Sequence, residues 1–220
     1  MQQSSLLLKQ FEVGPMENFV YLIGDAQTRE VLVVDPAWEI DTIFRKADED
    51  NLKIKGALIS HHHHDHTNGI EELLERENIP VYVNKNDLAK IQIPSSHLTA
   101  VDHAQKIKVG NIEIECLHTP GHTQGSQCFR VKDSLVSGDT LFINGCGRCD
   151  FQDSDPEQMY YSLTQKLMRL PGDTTLYPGH HYAAASSATF EEQKRTNPYL
   201  KMAAYSMKDF LSLRMGKGRQ

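Results

Sequence analysis

Histidine and aspartate gather in four short stretches: "SHHHHDH" at 60–66, "TPGHT" at 119–123, "SGDT" at 137–140 and "YPGHH" at 177–181. Imidazoles and carboxylates without thiolate suit zinc, iron or manganese, in sites that keep open positions for water. Spacing divides the first stretch. His61 and His63 are two apart, whereas Asp65 and His66 are adjacent. A chain turning out of a strand could aim the first pair one way and the second pair another. His122 would complete three nitrogens around one ion, and His180 would join Asp65 and His66 around a second. Asp139 is then free to bridge them. Two ions sharing a carboxylate can hold a hydroxide between them, and a metal lowers the pKa of bound water to about 7. The same ions would stabilise the oxyanion of a tetrahedral intermediate, so hydrolysis of an activated acyl group follows.

Elements suited to positioning these groups can be read along the chain. "NFVYLIGD" and "EVLVVDP" read as two paired strands, "IKGALIS" and "PVYVN" as further ones. Ile40, Ile43, Phe44 and Ala47 recur at helical spacing, in a helix ending near Asn51, and "GIEELLEREN" predicts another. A helix around Asp87–Ile91 and a polar loop through "PSSHLTAVDHAQ" come next, before strands "IEIECLHT", "SQCFRVK" and "SLVSGD". "PEQMYYSLTQKLMRL" starts on proline and repeats Met159, Tyr160, Leu163, Leu167 and Leu170 at helical spacing. A strand in "TTLYPGH" and a mostly helical tail complete one domain. Each of the four stretches follows a strand, where a rigid sheet can mount catalytic groups.

The 220 residues allow one domain with a short appendage, and 39% hydrophobic with 24% charged residues is an ordinary globular balance. A net charge of −6 argues against a nucleic-acid binder. Residues 191–220 carry +4 against −10 for the remainder, a solvated helix face or a basic segment for an anionic substrate. "MQQSSLLLKQFEV" has neither the charge pattern of a secretory signal nor the length of a membrane span. Four cysteines without a signal read as reduced thiols, and the expected compartment is the cytoplasm, with no membrane partner.

The order H-x-H-x-D-H, "TPGHT", "GDTLF", "PGH" resembles the metallo-β-lactamase superfamily from about Asn18 to Tyr182. The resemblance implies an α+β fold, a four-layer αββα sandwich with the metal site along one edge between two facing sheets. It implies a catalytic domain over 1–185 and a short helical extension over 186–220 packed on it. Implied ligands are His61, His63 and His122 for one metal, Asp65, His66 and His180 for the other, and Asp139 bridging. Asp65 and Asp139 are then the catalytic carboxylates, and two divalent ions, zinc ahead of iron or manganese, the cofactors. His62 and His64 fall at variable positions and are expected to be exposed neighbours. His181 lies next to a motif histidine, while His97, His103 and His118 match no motif.

"GDTLFINGCGR" looks like the glyoxalase II branch, which hydrolyses glutathione thioesters, with Arg148 at the basic substrate-binding position and Tyr182 at a substrate-contact tyrosine. Two departures are visible. The long helical C-terminal domain of that branch is shortened, and Asp150 stands where an aromatic residue is expected. A thioester on coenzyme A or an acyl carrier protein also suits a shortened rim. "GCGRCDFQ" in addition resembles the persulfide dioxygenases, which bind one iron through the positions of His61, His122 and Asp139. A metal-stabilised binding scaffold without activity is the remaining, non-enzymatic reading. Cys146 and Cys149 form a C-x-x-C in a loop, where a redox role is not expected.

Overall fold

Apolar residues on both faces of a strand require a cover on both sides, and β2 (Asn18–Asp25, NFVYLIGD) is buried at all eight positions. The computed structural model describes residues 6–216. In it Phe19, Tyr21 and Ile23 enter one core while Val20 and Leu22 enter another on the opposite face. β3 (Glu30–Val34) divides the same way, Leu32 and Val34 against Val31 and Val33.

Two six-stranded sheets result. The first runs β1 (Leu6–Val13), β2, β3, β4 (Lys53–Leu58), β5 (Val81–Asn84), β6 (Leu98–Val101), antiparallel up to β3 and parallel from there. The second, from one edge to the other, joins Ala188–Thr189, Thr175–Tyr177, Ser134–Val136, Gln127–Val131, Ile112–His118 and Lys106–Val109, which in chain order are β14, β13, β10, β9, β8 and β7. Between the sheets lies a core of Phe19, Tyr21, Leu32, Ile114, Phe129 and Val136, among others.

Helices cover the outer faces. On the first sheet α1 (Ile40–Asp48) buries Ile40, Ile43 and Ala47, and α3 (Ile70–Arg76) buries Ile70 and Leu73. On the second, α4 (Pro156–Tyr161), α5 (Phe190–Thr196), α6 (Pro198–Tyr205) and α7 (Met207–Arg214) bury Met159, Phe190, Leu200 and Phe210. Side chains cap these last four: Asp155, Thr189, Asn197 and Ser206 each accept from backbone N–H groups of the first turn. The architecture is the expected four-layer αββα sandwich. Among the described residues no helix is long and apolar enough to cross a membrane.

Several elements depart from the sequence expectation. The polar loop through 94–105 contains β6, which pairs in parallel with β5, and it is followed by β7, a four-residue strand of strict alternation. β1 forms from the leucine-rich start because it has β2 to pair with, though its side chains are mostly half-buried. The helix after Pro156 changes pitch, passing into a π turn over 162–166 and a 3-10 turn over 167–169. In the widened turn Ser162 donates to the Pro120 carbonyl at 2.7 Å and Lys166 to the His118 carbonyl, anchoring it on the loop that carries His122.

Phe129 is fully buried between the sheets. Replacing it with alanine is expected to lower unfolding free energy by about 3–5 kcal/mol. The exposed Tyr205→Ala should stay within about 0.5 kcal/mol. Urea unfolding of both variants, compared at equal m value, checks this.

Candidate metal centre

All four stretches leave strands at one edge of the sandwich. β4 delivers His61. His63 is extended (φ −60°, ψ 146°) and precedes α2 (His64–Thr67), a single turn that carries Asp65 and His66. His122 follows β8, Asp139 follows β10 and His180 follows β13. Two glycines are required by close approach. Gly138 has φ +48°, and a Cβ there would stand 2.5 Å from the Ser60 hydroxyl; a Cβ on Gly179 would stand 2.5 Å from Asp139 Oδ1.

The seven expected ligands converge in two sets. His63 Nδ1 lies 3.1 Å from His61 Nε2 and 3.0 Å from His122 Nε2. His66 Nε2 and His180 Nε2 are 3.2 Å apart, with Asp65 Oδ2 at 3.3 and 3.4 Å from them. Asp139 faces both sets: Oδ1 is 3.3 Å from His66 and 3.5 Å from His180, and Oδ2 is 3.5 Å from His122. Each set could hold one ion.

Hydrogen bonding on the far side of each ring decides what these nitrogens offer. His122 Nδ1 donates to the Arg148 carbonyl at 2.8 Å and His180 Nδ1 to the Met16 carbonyl at 2.8 Å. His66 Nδ1 donates to Asp35 Oδ2 at 3.0 Å. Ser60 gives its hydroxyl proton to Asp35 at 2.6 Å, so it accepts from His61 Nδ1 at 3.0 Å. In their neutral form all four rings therefore turn a lone pair on Nε2 into the cluster. The lone pairs of His66 and His180, 3.2 Å apart, repel unless a cation lies between them, and tetrahedral coordination at zinc distances spaces nitrogens by roughly 3.3 Å. Asp139 Oδ1 is buried facing two ring nitrogens, His66 at 3.3 Å and His180 at 3.5 Å, as suits a metal-ligating oxygen. The donor set fits divalent metal ions.

The electrostatics agree. Burial, then the neighbouring His66, push His61 well below the usual histidine range, and burial with His122 holds His63 at about 4. Burial also lowers His66, yet the Asp139 carboxylate and hydrogen bonds to Asp139, Asp35 and Asp65 raise it well above the ordinary value. Burial would raise Asp139, but His66 and His180 hold it well below the carboxylate range.

Arg148 and Tyr182 flank the cluster without entering it. Arg148 forms a bidentate pair with Asp150 at 2.9 and 2.8 Å and covers the Phe151 ring at 4.7 Å; Phe151 in turn packs edge-on against His63 and His122. Tyr182 stacks on His180 with ring centroids 4.6 Å apart and 8° between planes. Burial, then Asp139 and Asp65, push its hydroxyl up to about 12, so it remains a proton donor. His64 is exposed as expected, but His62 is not: its side chain is 15% exposed, with Nδ1 3.0 Å from the buried Asp87. His181 pairs with Glu12, and His97 and His118 face backbone carbonyls. Both thiols of the C-x-x-C are buried, each 3.6 Å from the Gly147 carbonyl, and burial pushes Cys149 up to about 12, which suits no redox role.

Sequence reasoning missed the groups behind the ligands. Asp35 orients His66 and, through Ser60, His61. Asn18 donates to Asp65 Oδ2 at 3.0 Å while accepting from the Trp38 indole at 2.9 Å. Their position at strand ends of the first sheet, on the same edge, was the available signal.

The model of the metallo-beta-lactamase superfamily matches residues 13–180. The chain belongs to the metallo-beta-lactamase superfamily. Within it, the chain is 32% identical over 185 residues to the probable polyketide biosynthesis zinc-dependent hydrolase PksB of Bacillus subtilis, covering 84% of this chain and 82% of that one. It is 37% identical over 196 residues to the probable hydroxyacylglutathione hydrolase glo2 of Schizosaccharomyces pombe (85% and 72%). To the human mitochondrial persulfide dioxygenase ETHE1 it is 32% identical over 203 residues (90% and 77%). The crystal structure of ETHE1 from Myxococcus xanthus superimposes with a TM-score of 0.86 at 30% identity, covering 97% of this chain and 92% of that one. The superfamily binds metal ions, and PksB and glo2 indicate a metal-dependent hydrolase.

A ligand histidine must shed its proton to bind metal, so a raised pKa lets protons compete at higher pH. Metal held by His61, His63, His66, His122 and His180 is therefore expected to be lost on acidification. Metal content after dialysis at descending pH checks this; content that stays constant as the histidines protonate would contradict the assignment.

Proposed function

We propose that the protein hydrolyses a thioester whose thiol belongs to glutathione, coenzyme A or an acyl carrier protein. The observation that carries this reading is Asp139, whose two oxygens turn to two separate ligand sets, as a two-ion hydrolytic site requires. His61, His63 and His122 would hold one ion, Asp65, His66 and His180 the other, zinc being the first choice. Ions bound there would acidify a water and polarise the thioester carbonyl.

The chain's own groups account for the rest. Asp65, steadied by Asn18, and Asp139 offer oxygens that orient the attacking water. Water adds its oxygen to the acyl carbon, the carbon–sulfur bond breaks, and the thiolate takes up a proton released from that water. Phe151 and Arg148 form one wall beside the first set, and Phe142 and Tyr182 the other beside His180. The neutral Tyr182 hydroxyl and the Arg148 guanidinium would meet the amide and anionic groups of a thiol carrier. PksB and glo2 support the reading by their names as hydrolases.

"GCGRCDFQ" and the similarity to the human dioxygenase favour a second reading, oxidation of glutathione persulfide at one iron. Elemental analysis of protein isolated without added metal separates them. Close to two metals per chain, mostly zinc, is expected; a single iron, with oxygen uptake on glutathione persulfide, would replace the thioesterase reading. Asp139→Ala is expected to abolish turnover and strip metal. Arg148→Ala should raise KM for an acylglutathione or acyl-coenzyme A about tenfold with kcat little changed, the loss of one charge-assisted hydrogen bond; an unchanged KM would remove Arg148 from the substrate wall.

A further inference from the structure

Each ligand set draws on both sheets, so something other than metal must hold the two sheets' loops in register. For the first set that group is Asp87, a fully buried carboxylate in the turn after β5. Its Oδ2 accepts from the His62 backbone N–H at 3.0 Å and from the Thr123 hydroxyl at 2.8 Å, and its Oδ1 accepts from the Gly125 N–H at 2.8 Å. His62 lies between His61 and His63, and Thr123 follows His122. The carboxylate thus ties the first-sheet loop to the second-sheet loop directly behind three metal-facing nitrogens.

The second set has a different strut. Asn18 donates to the Asp65 backbone and side-chain oxygens at 3.1 and 3.0 Å. The main chain around it holds His180: Phe19 N–H donates to the Gly179 carbonyl, His181 N–H to the Glu17 carbonyl, and the Met16 carbonyl accepts from the His180 ring, each at 2.8 Å. The hydrogen bonds of Asp87 and those of Asn18 have no residue in common.

We propose that Asp87 and Asn18 are positioning residues that hold the two metal sites separately, Asp87 the His61–His63–His122 site and Asn18 the Asp65–His66–His180 site. Either site can then be emptied while the other stays loaded. This rests on the two-site reading above. The physical reason is preorganisation: facing lone pairs drive ligand loops apart, and a strut that prevents relaxation keeps affinity high. Asp87→Asn changes one atom. However the amide is turned, its NH2 faces a backbone or hydroxyl donor that the carboxylate had accepted, and removing such supporting groups lowers metal affinity 10–100-fold.

The test is zinc affinity, by chelator competition, in two single-site chains. His180→Ala leaves the first site and His122→Ala the second. Asp87→Asn is expected to weaken zinc about 10–100-fold in the His180→Ala chain and less than about threefold in the His122→Ala chain, with Asn18→Ala giving the reverse. Thr123→Val, which removes one bond of the same strut, serves in place of Asp87→Asn if circular dichroism shows that variant unfolded. Equal weakening of both sites, no weakening, or a single-site chain that takes up no zinc would overturn the proposal. A wild-type chain holding only one metal would refute the two-site reading instead, while the single-site chains still report on Asp87 and Asn18.

Discussion

Four imidazole rings that have already donated their one proton to Arg148, Met16, Asp35 and Ser60 present bare lone pairs to a shared space. Two carboxylates, Asp65 and Asp139, face the same space. Brought this close without a cation, such groups repel, and the repulsion grows as water is excluded. The rest of the structure is arranged to withstand it. Because each ring's far nitrogen is bonded to backbone or to a buried side chain, no ring can escape by rotation, and the cluster relaxes only by taking up positive charge. His66, lifted well above its ordinary pKa by its acidic neighbours, meets the same demand by taking up a proton in place of metal.

Such a cluster cannot sit inside an apolar core, and it cannot be built on one sheet alone. The sandwich supplies the seam. Three layers of apolar side chains, one between the sheets and one under each helical layer, fix the strand ends to within the tolerance that metal ligands require. Parallel pairing of β3 with β4 and of β10 with β13 brings consecutive strand ends to one edge, where the ligand loops emerge. Glycines at 138 and 179 then permit an approach between loops that any side chain would block.

The C-terminal helices do more than cover a sheet. Asn197 donates to the carbonyls of Phe142 and Gly145, Arg214 to that of Cys146, and Gln193 accepts from Asn144. The small hairpin β11 (Leu141–Phe142) and β12 (Gly145–Cys146) is held from beneath in this way, and Arg148 follows it. The Arg148 carbonyl fixes His122 while its guanidinium lies on Phe151, so one residue links the tail, the outer wall and a ligand.

The candidate ligand set was readable because metal chemistry admits few residue types and because their spacing survives in a linear chain: extended pairs two apart, a helical turn next, glycine beside each later candidate. The long strands and amphipathic helices were readable for the related reason that burial on one face or both leaves a period. β6 and the β11–β12 hairpin were not, since short strands take their identity from a neighbour's unpaired backbone rather than from their own side chains. Asp35, Asn18 and Asp87 were equally hidden. An isolated acid or amide at a strand end carries no signature of its partner, which lies 25 to 47 positions away in the loops it braces. The sequence by itself determined which atoms could bind metal. Only the tertiary structure decided which lone pairs face one another and what holds them there, because orientation depends on hydrogen bonds between segments that meet only after folding.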